Sequence, residues 1–127
     1  MLTASTDIYQ RFDHELQIPD ALQRRIFRAK AYDASKVFSF AGRSPDWLAV
    51  PDRYWPWYFS AVQLGQQLIK EFNIGCIWST YPVLTAHLIG RKLSKSNQLP
   101  WIADFRDPIQ CHYNPAYQHF NRANLYL

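Results

Sequence analysis

Residues 75–105 change period twice, and that limits the fold more than any other feature of the chain. Cys76-Ile77-Trp78 is a short apolar run entered from Asn73-Ile74-Gly75, the pattern of a central strand. Pro82 then opens a segment in which Ala86, Ile89, Gly90 and Leu93 share one helical face. Arg91, Lys92 and Lys95 fall in its last turns, where positive charge is favoured. Pro100 to Phe105 is a second apolar strand. Strand, helix, strand within roughly thirty residues is a βαβ unit. The strands near residues 75–79 and 100–105 are therefore expected to be parallel, with a right-handed crossover through a helix from Pro82 to about Ser94.

Ligands of an open parallel sheet bind beyond the carboxyl ends of its strands. Ser79-Thr80-Tyr81 falls at one such end, and Asp104, Arg106 and Asp107 at the other. Free N–H groups at the start of the helix near Pro82 are expected to face the same region and favour an anion. Three charges cannot follow an apolar run into a core without an unpaired cost, so the chain should leave the sheet near Phe105. Ala103 is then expected to be buried, and Asp104 partly buried on hydroxyl or backbone donors.

Upstream, Pro56 suits a helix start, and Trp57, Ala61, Leu64, Leu68 and Phe72 recur at helical spacing until Asn73-Ile74-Gly75. Pro45, Pro51 and Pro56 mark residues 43–56 as an aromatic-rich loop. Residues 33–40 read as a helix ended by Gly42. Between Ala21 and Ala41 two readings fit: Leu22, Ile26, Phe27 and Ala29 as a helix face, or residues 26–29 as a short strand. The first twenty residues are polar and expected to be loosely held.

At 127 residues the chain has room for one core. Its 48% hydrophobic and 17% aromatic content excludes a disordered segment. A net charge of +4 permits an anionic ligand or a membrane surface without requiring either. The basic residues are scattered, not gathered on one face, which argues against a nucleic-acid module. No apolar run approaches the ~20 residues of a membrane span, and residues 1–20 do not read as a signal peptide. Cys76 and Cys111 do not make a disulfide framework, which favours a reduced, cytoplasmic setting.

"IWSTYPVLTAHLIGRKL" followed by "LPWIADFRDP" resembles the N-terminal, acceptor-side domain of family 4 glycosyltransferases, retaining enzymes of the GT-B fold. "PDRYWPW" and the helix after it resemble the segment that precedes those motifs in one bacterial branch. The resemblance covers residues 40–110 and, more loosely, the stretch from residue 20. It implies an α/β fold, a partial Rossmann-like domain with a short parallel sheet and flanking helices. It also implies sugar transfer from a nucleotide-sugar to a glycan or lipid-linked acceptor, with no metal and no other cofactor, and peripheral contact with the inner face of a membrane. By that mapping Asp107 and Arg106 are the catalytic candidates, while Ser79, Thr80 and Asp104 bind substrate.

The chain also departs from that family. A glycine-rich loop near the donor phosphates is missing, since the four glycines are Gly42, Gly65, Gly75 and Gly90. The paired glutamates of the donor domain have no counterpart, Glu15 and Glu71 being the only glutamates. Val83 stands where a second proline is common, and Gly75 where an aspartate often precedes the strand. The expected organisation is a loose segment 1–20, a partial glycosyltransferase domain 21–110 and a truncated segment 111–127, inactive alone. The alternatives are a small basic binding module for nucleic acid or a partner protein, and a degraded remnant without activity.

Plainer uses fit the same residues. Asp104 and Asp107 also suit a turn paired with Arg106, and Ser79 and Thr80 also suit a helix cap. His87 fits a satisfied packing role. Tyr54, Trp55, Trp57 and Tyr58 suit a core as well as a sugar or membrane surface. Cys111, His112 and His119 lack the fourth ligand of a closed metal site.

Overall fold

A computed structural model describes residues 1–8, 18–38 and 51–105. It is mixed α/β, with short parallel sheets and helices between the strands. β1 (Leu2–Ala4) pairs with β2 (Phe27–Ala29), and β3 (Ile77–Thr80) pairs with β4 (Trp101–Asp104), both parallel. α1 (Asp20–Gln23) and α2 (Ala34–Val37) are single turns, whereas α3 (Trp57–Phe72) and α4 (Leu84–Asn97) are full helices.

α3 forms because its apolar residues fall on one stripe, so that Trp57, Ala61, Gly65 and Leu68 are buried together. Pro56 precedes it with a helix-compatible φ of −63°. Asn73 ends it in the left-handed region at φ 48°, where its N–H bonds the Ile69 carbonyl. Phe72, on the same predicted stripe, is exposed at its rim and meets Phe27 with ring centroids 5.4 Å apart. α4 follows the predicted crossover closely. It buries Thr85, His87, Ile89, Gly90 and Leu93, and Gln98 turns the chain at φ 55°.

α3 packs on β1, β2 and α4, while α4 packs on β3 and β4. The core is Ala4, Ala29, Ala31, Trp57, Ala61, Ile89 and Leu93. Burial of a side chain such as Ile89 or Leu93 contributes about 1.5–3 kcal/mol. Among the described residues, no helix is long and apolar enough to cross a membrane.

Three expectations need correction, and one open choice is resolved. The first twenty residues are not loose throughout: Leu2–Ala4 is a strand, and Ala4 is buried. Residues 27–29 take the strand reading, because β1 supplies the partner that a local pattern cannot show. The Cys76-Ile77-Trp78 run is not buried on both faces, since Trp78 is 66% exposed and its register partner Ile102 is 47% exposed. α4 covers only one side of β3 and β4. Ala103, on the covered side with Ser79, is half-buried and not fully buried. The expected Gly42 helix end lies outside the described residues.

Candidate functional site

The carboxyl ends of β3 and β4 lie side by side, with Ser79 opposite Ala103 and Thr80 opposite Asp104. Strand alternation sends neighbouring side chains to opposite faces. Ser79 therefore turns toward α4, and Thr80 turns toward the uncovered face. Two separate clusters result.

On the uncovered face, Thr80 Oγ1 donates to Asp104 Oδ2 at 3.2 Å. The Tyr81 N–H donates to the Asp104 carbonyl at 3.0 Å, which extends the strand pairing one residue further. Asp104 is half-buried and takes a hydroxyl donor, as its sequence position suggested. Thr80 is exposed. A carboxylate and a hydroxyl held in this way suit a hydroxyl-bearing ligand.

On the covered face, Ser79 Oγ accepts from Trp101 Nε1 at 2.8 Å and lies 2.8 Å from His87 Nδ1. Ser79 is 7% exposed and His87 5% exposed. The Ser79 hydroxyl thus serves His87 and Trp101 and does not face the crevice beside Thr80. The Phe105 ring lies over the imidazole, with centroids 4.2 Å apart and planes 32° apart. Burial lowers the His87 pKa from its ordinary 6.5, and the Asp104 carboxylate pulls weakly the other way. His87 is therefore a neutral imidazole near neutral pH.

Gly90 makes this cluster possible. A Cβ there would stand 2.7 Å from Trp101 Nε1 and 3.1 Å from Ser79 Oγ. Sequence reasoning assigned Gly90 to a helix face and His87 to a satisfied packing role. His87 is only half satisfied, because Nε2 is buried with no hydrogen-bond partner. The available signal was a histidine and a serine at buried positions of consecutive elements.

Neither Ser79 nor Thr80 caps α4, whose N-cap residue is Val83 with no side-chain cap. The expected anion position at that helix start is already filled from within the chain. Asp52 Oδ2 accepts the Thr85 N–H at 2.6 Å, and Oδ1 accepts the Tyr54 N–H at 2.8 Å. An internal carboxylate therefore meets the helix dipole.

Arg106 and Asp107 lie outside the described residues, as do Cys111, His112 and His119. Among the described residues, no three of His, Cys, Asp and Glu converge in a metal-holding group. Of the aromatics in and just after the "PDRYWPW" stretch, Trp57 is a core residue, while Tyr54, Trp55 and Tyr58 are half-buried.

A cavity of about 1030 Å³ runs between β1 and β3 over α3 and α4, with Leu2, Phe27, Leu68, Ile77 and Leu93 in its wall. It is mainly apolar. Ser79 and Thr80 are also in its wall, so it reaches the carboxyl end of β3, while His87 and Asp104 lie outside it.

No protein-family model matches this chain, and no significant match exists among curated proteins or solved structures.

Proposed function

We propose that this chain carries the acceptor side of a retaining, GT-B-type glycosyltransferase, built on a partial Rossmann-like domain, and that it turns over no nucleotide-sugar by itself. One observation carries the reading: Thr80 and Asp104 are joined at the carboxyl ends of two parallel strands, immediately before the Phe105-Arg106-Asp107 segment. Parallel α/β sheets keep their ligand crevices at that edge. The resemblance of "IWSTYP" and "ADFRDP" to the acceptor-side motifs of family 4 enzymes falls on those two strand ends.

Two of the glycines support the expected inactivity of the isolated chain. Gly65 and Gly90 sit inside α3 and α4, packed against Leu93 and against Trp101 and Ser79. Neither belongs to a loop that could cradle a diphosphate. In this reading Arg106 meets an anionic group, Asp107 orients an acceptor hydroxyl, and Thr80 with Asp104 holds the loop and the ligand beside it.

The test has two arms. The purified chain is incubated with UDP-glucose and with GDP-mannose, and no sugar release or transfer is expected. The same chain is then joined to the donor domain of a family 4 glycosyltransferase. That chimera should transfer sugar, and Asp107→Ala should lower its turnover at least ~tenfold with little change in melting temperature. Turnover by the chain alone, or an Asp107→Ala chimera of full activity, would overturn the proposal.

A further inference from the structure

The histidine of the covered cluster is oriented on one side and unused on the other. The indole of Trp101 is a donor only, so Ser79 Oγ accepts from it at 2.8 Å. That leaves the Ser79 hydroxyl hydrogen to donate to His87 Nδ1, also 2.8 Å away. The opposite arrangement, with Nδ1–H donating to Ser79, would leave the serine hydrogen without an acceptor. The network therefore assigns the imidazole proton to Nε2.

Nε2–H is then a buried donor with no partner, in a residue that is 5% exposed. Unpaired buried donors destabilise a fold, and they persist where something else uses them. Arg53 Nε, Trp57 Nε1 and Thr85 Oγ1 are also buried without partners, but Arg53 is already committed to the Asp33 carboxylate, and Trp57 Nε1 and Thr85 Oγ1 have no second side-chain hydrogen bond that fixes their direction. His87 has one. Its two ring nitrogens diverge, so with Nδ1 held on Ser79 the Nε2–H points away from that serine.

We propose that His87 is a ligand-binding residue whose Nε2–H donates to an uncharged oxygen, a sugar hydroxyl or ring oxygen, with Phe105 as the adjoining apolar platform. The choice of a sugar rests on the acceptor-side reading; the donor role rests on the geometry alone. Uncharged chemistry is favoured because, among the described residues, Asp104 is the charge that acts on His87, and it is negative. The N–H of Thr85 at the start of α4 is also taken by Asp52 and gives an anion no help. Phe105 is 49% exposed and lies flat enough over the imidazole to offer the rest of its ring to a sugar face. His87 becomes accessible when the Phe105 side chain swings off it, a rotamer change open to a half-exposed ring.

The experiment uses the full chain labelled with ¹⁵N-histidine. Long-range proton–nitrogen spectra should show Nε2 protonated and Nδ1 bare for one neutral histidine, assigned by its loss in His87→Gln. Methyl α-D-glucopyranoside, methyl α-D-mannopyranoside and inorganic phosphate are titrated separately to about 100 mM, the range of weak single-site contacts. At least one glycoside should move the Nε2–H resonance, and phosphate should not. His87→Gln places an amide N–H near the Nε2 position and should keep glycoside affinity within about threefold. His87→Asn keeps only the Ser79 side and should lose about tenfold or more.

An Nδ1–H tautomer overturns the proposal, as does a resonance that no glycoside moves. Movement by phosphate alone overturns the uncharged class. Equal affinity of the two variants overturns the donor role. The acceptor-side reading is judged separately by transfer in the two-domain chimera, so the two can fail independently.

Discussion

The Asp52 carboxylate sits on the first turn of α4, where Oδ2 accepts the backbone N–H of Thr85 at 2.6 Å. Its other oxygen holds the N–H of Tyr54 at 2.8 Å, so one side chain ties the segment before α3 to the start of α4. Asp52→Ala should destabilise the chain by about 1–2 kcal/mol, the usual cost of a lost helix-start acceptor. Asp52→Asn should cost less, because it keeps an acceptor and loses only the charge on the dipole. Urea unfolding of the three proteins checks the order.

Gly90 and Gly75 should respond oppositely to the same change. Gly90→Ala drives a methyl onto Trp101 Nε1 and Ser79 Oγ, groups fixed by their own hydrogen bond, and should cost about 1–3 kcal/mol. A Cβ at Gly75 meets nothing within 4 Å. Gly75→Ala should be neutral or stabilise by up to about 1 kcal/mol through the unfolded state. Equal effects in thermal melts would contradict the packing described for α4.

His87 gives stability a pH dependence of known sign. Its folded pKa lies below the ordinary 6.5, mainly through burial, so on acidification the unfolded chain takes up a proton first. Stability is complete above about pH 6.5 and falls as pH drops from there toward the folded pKa. In His87→Gln that portion of the slope should disappear. Denaturation midpoints of the two proteins between pH 5 and 8 measure the difference.

Arg53 forms an ion pair with Asp33, which is 7% exposed, and Asp33 in turn raises the Arg53 pKa. Arg53→Met leaves a mostly buried carboxylate with poorer compensation. The expected loss is about 1–3 kcal/mol, toward the lower end because Arg53 itself is partly in water. Adding Asp33→Asn to Arg53→Met should recover part of the loss in a double-mutant cycle.

The second half of the described chain was legible because its elements carry strong local signals. Helical spacing runs through α3 and α4, Pro56 and Pro82 mark their starts, and Asn73 ends the first. The β1–β2 pair was not legible, because Leu2-Thr3-Ala4 is too short to show a period and becomes a strand only through Phe27–Ala29. Asp52 was missed for a related reason: it caps a helix from a different part of the sequence, not from the local capping position. For the candidate site, the crossover led to the expectation that the carboxyl ends of the two strands lie side by side, whereas the pairing of Thr80 with Asp104 is set by the register, which the sequence does not show. The division of Ser79 from Thr80 was implicit in strand alternation. The bond from Trp101 to Ser79 depends on an open helix face at Gly90, which periodicity does not report.

Among the described residues the two strand pairs do not join, and the helices α3 and α4 connect them. Cooperativity between the halves therefore passes through that helix contact, where Leu93 packs into the space left by Gly65, and through the Asp52 bond to Thr85. In amide exchange the β3–α4–β4 stretch should open as one unit, and β1–β2 as another. A small residue at position 65 sets how strongly the two openings are coupled. Leu93→Ala should pull their exchange rates apart before it unfolds either one.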